Sequence, residues 1–275
     1  MANYLATDTD LTAVANAIRT KGGTSAQLAF PQGFVDAIAA IQTGGGEDHT
    51  VEDALLTRSF SGTYENSRIT SLGGNALRGI RYLTSVSFPN VTTIGDYAMQ
   101  YAYELVACSF PKATSIGSYG FSESKVVTVS LPLVTQIKGN AFTACKQTKT
   151  LCFPILTTAT GSSQFNDMWL LEKADMGNLA NIVSNAFYGA RVIQALILRK
   201  SDAICTLANS NAFNSSKFTG YGGSYSGHIY VPSALLATYQ TATNWATLYG
   251  NYNDLFAPIE GSIYETEYAD GTPIT

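Results

Sequence analysis

Nucleophilic and acid–base chemistry needs thiols, imidazoles or carboxylates held within hydrogen-bond reach of one another. This 275-residue sequence holds two histidines, His49 and His228, and four cysteines, Cys108, Cys145, Cys152 and Cys205. The cysteines show no CxxC and no Cys/His spacing of a metal site, and His49 falls in a polar connector while His228 begins a candidate strand. All four therefore read as buried thiols, neither metal ligands nor nucleophiles. There is no His-Glu-x-x-His, no Gly-x-Ser-x-Gly and no Walker loop, and the glycines at 220–227 do not follow a phosphate-binding pattern. One acid pair, Glu172 and Asp175 with Lys173 between them, lies on an extended stretch from which two carboxylates would hydrolyse a glycan. A solvated charged patch is the simpler reading. No catalytic residue, no metal and no cofactor is expected.

Binding chemistry is better supplied. Charged residues make up 13% of the chain, the formal net charge is −4, and there are 16 tyrosines. A surface of Ser, Thr, Asn, Gly and Tyr hydrogen-bonds and stacks at low desolvation cost, as glycan-binding and adaptable protein-binding surfaces do, and it does not capture nucleic acid by charge. Tight repeats alone would give the same low charge. Tyr97 and Tyr119 share a repeating position and read as structural. Tyr101, Tyr103, Tyr221 and Tyr225 depart from the repeat and are the candidates for ligand contact, because departures from a repeat carry function.

The repeat itself must position these side chains. "Ser-Phe-Pro-Asn-Val-Thr-Thr-Ile-Gly-Asp-Tyr-Ala-Met" at 87–99 recurs at 109–121 and again at 130–142. Pro89, Pro111, Pro132 and Pro154 are spaced by 22, 21 and 22 residues, and Leu72, Ile94, Ile116, Ile137 and Ile182 keep phase with Leu77, Met99, Phe121, Phe142 and Phe187. Several positions locked at about 22 residues predict a solenoid of stacked coils, a parallel sheet along one side. Each coil has a short strand of the form apolar-x-x-apolar-x-apolar, as in Leu83/Val86/Phe88 and Leu105/Cys108/Phe110, stopped by proline and followed by a helical or irregular return. The outward positions of these strands form columns: Ser85, Ala107, Thr128, Thr150, Lys173 and Ala195 in one, and Ser87, Ser109, Ser130, Cys152, Asp175 and Ile197 in the other. Ser87, Ser109, Ser130 and Asp175 join the tyrosines as candidate ligand contacts. Small hydroxyls suit a glycan or an extended peptide, and they equally suit the narrow space between strands.

Flanking pieces differ in kind. Residues 8–42 read as two short amphipathic helices, with Leu11, Val14, Ala15 and Ile18 on one face and Phe34, Ile38 and Ile41 on another. A module of this size, 1–43, buries too little apolar surface alone and is expected to attach or oligomerise. Residues 44–58 form a linker, 59–261 the solenoid with a helical cap at 233–250 built on Leu235, Leu236, Tyr239, Trp245 and Leu248, and 262–275 a loose or partner-bound tail. No run of 18 apolar residues is present and the beginning lacks the basic and apolar regions of a signal peptide, so synthesis in a cytoplasm without membrane insertion is expected.

The pattern strand-Phe-Pro-x-x-Thr-x-Ile-Gly-x-x-Ala-Phe resembles the BspA-like branch of the leucine-rich repeats over about 69–218, and "His-Ile-Tyr-Val-Pro-Ser-Ala-Leu-Leu-Ala-Thr-Tyr" through Gly261 is similar to the way such proteins end. The first 43 residues, with Thr9-Asp10-Leu11-Thr12-Ala13-Val14 and Phe30-Pro31-Gln32-Gly33-Phe34, resemble the N-terminal segment of phage and prophage tail-associated proteins. At 154–177 the proline and Ile-Gly positions are lost, which leaves the local curvature open. The resemblance implies a non-catalytic adhesin of a phage tail, made in the host cytoplasm. It would be a homo-oligomer through 1–43, mounted with other tail proteins, touching a bacterial surface glycan or protein. The alternatives are a bacterial protein-interaction scaffold, in the cytoplasm or at the cell surface, and a surface-glycan hydrolase.

Overall fold

A half-buried strand only a few residues long is stable when its backbone pairs on both edges and its inward side chains meet those of its neighbours. The computed structural model describes residues 61–274, and the helices expected within 1–43 and the linker to 58 lie outside them. The chain alternates longer and two-residue strands: β1 (Gly62–Glu65), β2 (Ser71–Leu72), β3 (Leu83–Ser87), β4 (Thr93–Ile94), β5 (Ala107–Ser109), β6 (Ser115–Ile116), β7 (Thr128–Ser130) and β8 (Gln136–Ile137). It continues through β9 (Thr150–Cys152), β10 (Thr158–Ala159), β11 (Lys173–Asp175), β12 (Asn181–Ile182), β13 (Ala195–Ile197), β14 (Thr206–Leu207), β15 (His228–Val231) and β16 (Phe256–Pro258). Odd-numbered strands stack in parallel as β1-β3-β5 and β7-β9-β11-β13-β15, with β16 added at the end. The predicted parallel-sheet solenoid is thus present.

A second parallel ladder, β2-β4-β6-β8-β10 with β12-β14 beyond it, runs where the motif Thr-x-Ile-Gly returns. Its threonines tie one coil to the next. The hydroxyls of Thr92, Thr114, Thr135 and Thr157 each donate to a carbonyl of the preceding coil, at 3.0 to 3.4 Å. The interval from Pro111 to Pro132, one residue shorter than its neighbours, coincides with the break between β5 and β7, where Val127 N–H still donates to Val106 O at 3.1 Å.

The returns after β2, β4, β6, β8, β10 and β12 are paired turns, and short 3-10 helices (Ser210–Phe213 and Lys217–Thr219) take their place after β14. Asn75, Tyr97, Tyr119, Asn140, Ser163 and Asn185, and four residues later Gly79, Tyr101, Glu123, Ala144, Asp167 and Gly189, all have φ between 55° and 75°. A left-handed residue every fourth position stops an α-helix and aims its N–H at the next coil, as Tyr97 does toward Ser118 O at 2.8 Å and Tyr101 toward Ser122 O at 3.0 Å. Tyr101, which departs from the repeat in residue type, therefore occupies a repeating backbone position.

Inside, Phe121, Phe142, Phe165, Phe187 and Phe213 form one column with ring centroids 5.0 to 5.9 Å apart, and Trp245 meets its last ring at 5.9 Å. Phe165 keeps this column intact through the irregular stretch 154–177. The expected cap is two short helices, α1 (Leu236–Thr241) and α2 (Trp245–Asn251), and not one continuous helix over 233–250, because Asn244 between them adopts a φ of 66°. That turn lets the Asn244 amide donate to Leu207 O at 2.7 Å and Ala208 O at 3.0 Å. Trp245 Nε1 donates to Cys205 O, and Tyr239 Oη accepts from Cys205 N–H, both at 2.7 Å. The cap side chains thereby satisfy the backbone of the last coil.

At Gly117 a Cβ would fall 2.5 Å from Gly95 C and Asp96 N, so the coils pass each other without room for a side chain. Gly117→Ala is expected to destabilise by about 1–3 kcal/mol through backbone displacement, whereas Gly250→Ala, in α2 with open space around it, is expected to raise stability by up to about 1 kcal/mol. Thermal unfolding of both variants against the parent checks the opposite signs.

Candidate functional site

The outward sheet face is divided between solvent and the chain's own end. On β3, β5 and β7, Ser85 and Ser87 are half-buried while Ala107, Ser109, Thr128 and Ser130 are exposed. Further along, Cys152, Asp175, Ala195 and Ile197 point outward as expected yet are buried. The covering is the C-terminal segment: Ile259, Tyr264 and Ala269 pack on Ala195 and Ile197, and Tyr264 meets Tyr230 edge-on at 4.7 Å. The tail expected over 262–275 to be loose or partner-bound is, in its described residues 262–274, packed on the chain's own sheet as a strap.

Polar bonds fix the strap at two places. The Arg199 guanidinium binds both carboxylate oxygens of Asp175, at 2.6 to 3.2 Å, and donates to Tyr264 O at 2.8 Å and Glu267 O at 3.0 Å. Ser130 Oγ donates to Asp270 Oδ2 at 2.6 Å. Burial raises the Asp175 carboxyl above its ordinary range, against the opposing pull of Arg199. Asp270 is held below that range: burial raises it, and the bonds from Ser130 and Thr272 outweigh burial. Asp175 is therefore not available to a ligand while the strap lies in place, and Ser130 is already bonded; Ser87 and Ser109 lie outside the strap.

The acid pair does not assemble. Asp175 faces Arg199, and Glu172 faces Lys149 at 3.6 Å, so each carboxylate has its own cation. Burial pushes the thiols of Cys108, Cys145, Cys152 and Cys205 up to about 12, which keeps them protonated and poor nucleophiles at neutral pH. His228 lies 3.3 Å from the exposed carboxylate of Asp254, on the strand where sequence placed it.

The candidate tyrosines fall on the edge of the solenoid between the returns and the long strands. The residues just before β5, β7, β9, β11 and β13, namely Val106, Val127, Lys149, Glu172 and Gln194, are joined coil to coil by backbone bonds of 2.8 to 3.1 Å. Immediately ahead of them stand Tyr103, Lys125, Lys146, Trp169 and Arg191, one per coil. Tyr103 is 44% exposed and lines a shallow pocket of about 220 Å³ together with Glu123, Lys125, Lys146 and Gln147. Tyr101 leans on Tyr103 at 5.9 Å and under Arg78 at 5.7 Å, so it supports the row from its inner side. Tyr221 continues the row, with the Arg191 guanidinium 5.5 Å from its ring. Tyr225 stands apart, packed on Tyr252 at 5.6 Å. The structure thus brings Tyr101, Tyr103 and Tyr221 to one edge and leaves the serines on the sheet face.

Sequence reasoning missed Lys125, Lys146, Trp169 and Arg191. Their signal was phase: Trp169 follows Lys146, and Arg191 follows Trp169, at the repeat interval. Lys146 Nζ and Arg191 Cζ each lie 4.2 Å from the centroid of the Trp169 ring.

The family model for the BspA type leucine rich repeat region, in six copies, matches residues 57–133 and 114–220. A leucine rich repeat protein of T. pallidum, known from its crystal structure, is 17% identical, with 60% of this chain and 86% of that chain covered and a TM-score of 0.49. A leucine rich cell surface protein from Faecalibacterium prausnitzii A2-165 is also 17% identical, covering 70% of this chain and 64% of that one, with a TM-score of 0.35. No curated protein sequence matches the chain.

Breaking a buried ion pair by removing one partner costs about 3–5 kcal/mol. Arg199→Ala should accordingly release the strap, and protease cleavage within 262–274 should become at least about tenfold faster. The strap's two carboxyls respond oppositely to acid. Asp270, depressed in the folded chain, contributes stability above the ordinary carboxylate pKa of about 4 that is lost as pH falls through its lower folded value. Asp175, raised in the folded chain, contributes stability that grows as pH falls through its folded value toward the unfolded one. Carboxyl NMR titration should find Asp175 protonating before, and Asp270 after, an ordinary aspartate.

Proposed function

Because the chain belongs to the BspA type leucine rich repeat family, we propose that it is a non-catalytic binding protein, an adhesin of a phage or prophage tail that recognises a bacterial surface through its solenoid. The observation that carries the binding reading is the edge row: Tyr103 and Tyr221 are 44% and 38% exposed along an edge whose coils are bonded to one another through their backbones. Aromatic rings held in place by a rigid frame lose little freedom on contact, which favours their use against a ligand. The separate neutralisation of Glu172 and Asp175 supports binding over hydrolysis. Among the described residues no helix is long and apolar enough to cross a membrane.

The tail-mounted part of the reading rests on residues 1–43, which would oligomerise the chain and attach it to other tail proteins, multiplying weak surface contacts by avidity. A protein-interaction scaffold is the second reading. It is favoured by the exposed apolar residues Val106 and Val127, just before β5 and β7, and Leu133 and Ile155, after β7 and β9.

Light scattering of the full chain beside a chain beginning at Glu47, at matched concentration, tests the assembly. An oligomer for the full chain alone is expected, and two monomers would move the scaffold reading ahead. Labelled full chain incubated with bacterial cells should be retained on the surface without releasing reducing sugar ends. Release of such ends would instead favour a hydrolase.

A further inference from the structure

Two cations of the edge row, Lys146 and Arg191, differ from its third, Lys125, in their partners. Lys125 pairs with Glu104 at 2.8 Å, Lys138 with Asp96 at 3.6 Å, and Lys149 with Glu172 at 3.6 Å. Lys146 and Arg191 have no carboxylate partner among the described residues and rest instead on one indole, each 4.2 Å from the Trp169 ring centroid. Trp169 is itself fixed by donating from Nε1 to Asp167 Oδ1 at 3.3 Å. Arg191 Nε is buried and has no hydrogen-bond partner within the chain. Two positive charges are thus held on coils that flank the Trp169 coil, by a ring that orients them without neutralising them.

Lys146 also lines the pocket of about 220 Å³, whose other walls include the exposed ring of Tyr103, the Glu123 carboxylate and the Gln147 amide. The combination is selective. A ring face beside acceptors and amide donors suits a sugar with free hydroxyls. Coil-to-coil spacing in a parallel sheet is about 4.8 Å, similar to the advance of a glycan chain per sugar, so adjacent sugars would meet successive coils.

Resting on the reading of this chain as a binding protein, we propose that the edge formed by Tyr103, Glu123, Lys146, Trp169 and Arg191 binds an acidic glycan. One sugar ring lies on Tyr103 with its hydroxyls toward Glu123 and Gln147. The anionic group of a sugar about three coils farther along, a carboxylate or a phosphate, is held by Lys146 and Arg191. The sheet face and its serines are not part of this site.

The full chain is titrated calorimetrically with three probes: an oligogalacturonate, a phosphodiester-linked hexose oligomer and a neutral dextran oligomer. One or both acidic probes should bind and dextran should not, and which acidic probe binds identifies the anionic group. Lys146→Gln, a substitution at an exposed side chain, and Tyr103→Ala should each weaken that binding about tenfold, the loss of one charge-assisted or stacking contact. Lys112→Gln, on the return side, should leave it unchanged. Dextran binding as tightly as the acidic probes, no binding by either acidic probe, or full binding by Lys146→Gln would each overturn the site. Retention on bacterial cells, measured in parallel, separates this proposal from the wider one. Cell binding that survives Lys146→Gln and Tyr103→Ala keeps the adhesin and discards this edge, whereas unaltered chain that binds neither cells nor probes discards both.

Discussion

The separation between neighbouring coils, set by backbone hydrogen bonds, is the constraint on which the molecule depends. Three ladders hold it: the long strands, the two-residue strands, and the left-handed turns whose N–H groups reach across at 2.6 to 3.3 Å. Once that distance is fixed, residues at the same phase must fit one another at that distance. Flat rings do so by stacking, which explains a phenylalanine column with spacings of 5.0 to 5.9 Å. Tyr97 and Tyr119 stack in the same way at 5.1 Å with planes 6° apart, and both accept a positive φ to remain there. A bulky residue in the left-handed region costs of order 1 kcal/mol, so at each tyrosine an inter-coil bond and a stacked ring offset the backbone strain.

Open ladders leave donors and acceptors without partners, and this chain closes one end with side chains instead of another coil. Asn244, Trp245 and Tyr239 all bond to backbone groups of 205–208. The strap solves a different problem. Its anchor, Arg199, is 15% exposed at the side chain and Asp175 0%, so the desolvation cost of the pair is large and its net contribution to stability small. What the pair supplies is specificity: two strap carbonyls take further donors of the guanidinium beside Asp175, which ties 262–274 to one placement. The consequence is that the sheet face is partly occupied by the chain itself, which leaves the edge as the open surface on which the proposal is built.

The repeat was legible in the sequence because proline, isoleucine and phenylalanine return in phase, and each reports a backbone or packing requirement that every coil shares. Phe165 escaped because Ala159 stands where isoleucine stood, so the frame had to be counted without its usual markers. The second ladder was foreshadowed by Thr-x-Ile-Gly, although two residues are too short to show a strand period. The strap was not legible: Ser130 and Asp270 are 140 residues apart and Arg199 and Asp175 are 24 apart, and no periodicity links them. Asp175 was rightly placed outward and wrongly taken as open to solvent, since outward and exposed differ once another segment lies on the face.

The edge row was hidden for a related reason. Its positions hold Tyr, Lys, Lys, Trp and Arg in successive coils, so no letter repeats even though the phase does. Positions inside the solenoid converge on one residue type because each must stack on its copy, whereas an edge position meets solvent on one side and is free to differ from coil to coil. Variation at a fixed phase is therefore the sign of a position released from the packing rule and available to a ligand. Tyr101 shows the limit of that sign, because its backbone obeys the repeat while its ring supports Tyr103. Sorting edge residues by exposure and by the lack of a carboxylate partner leaves Tyr103, Lys146 and Arg191, and it is these surfaces, not their departure from the repeat, on which the proposed ligand would rest.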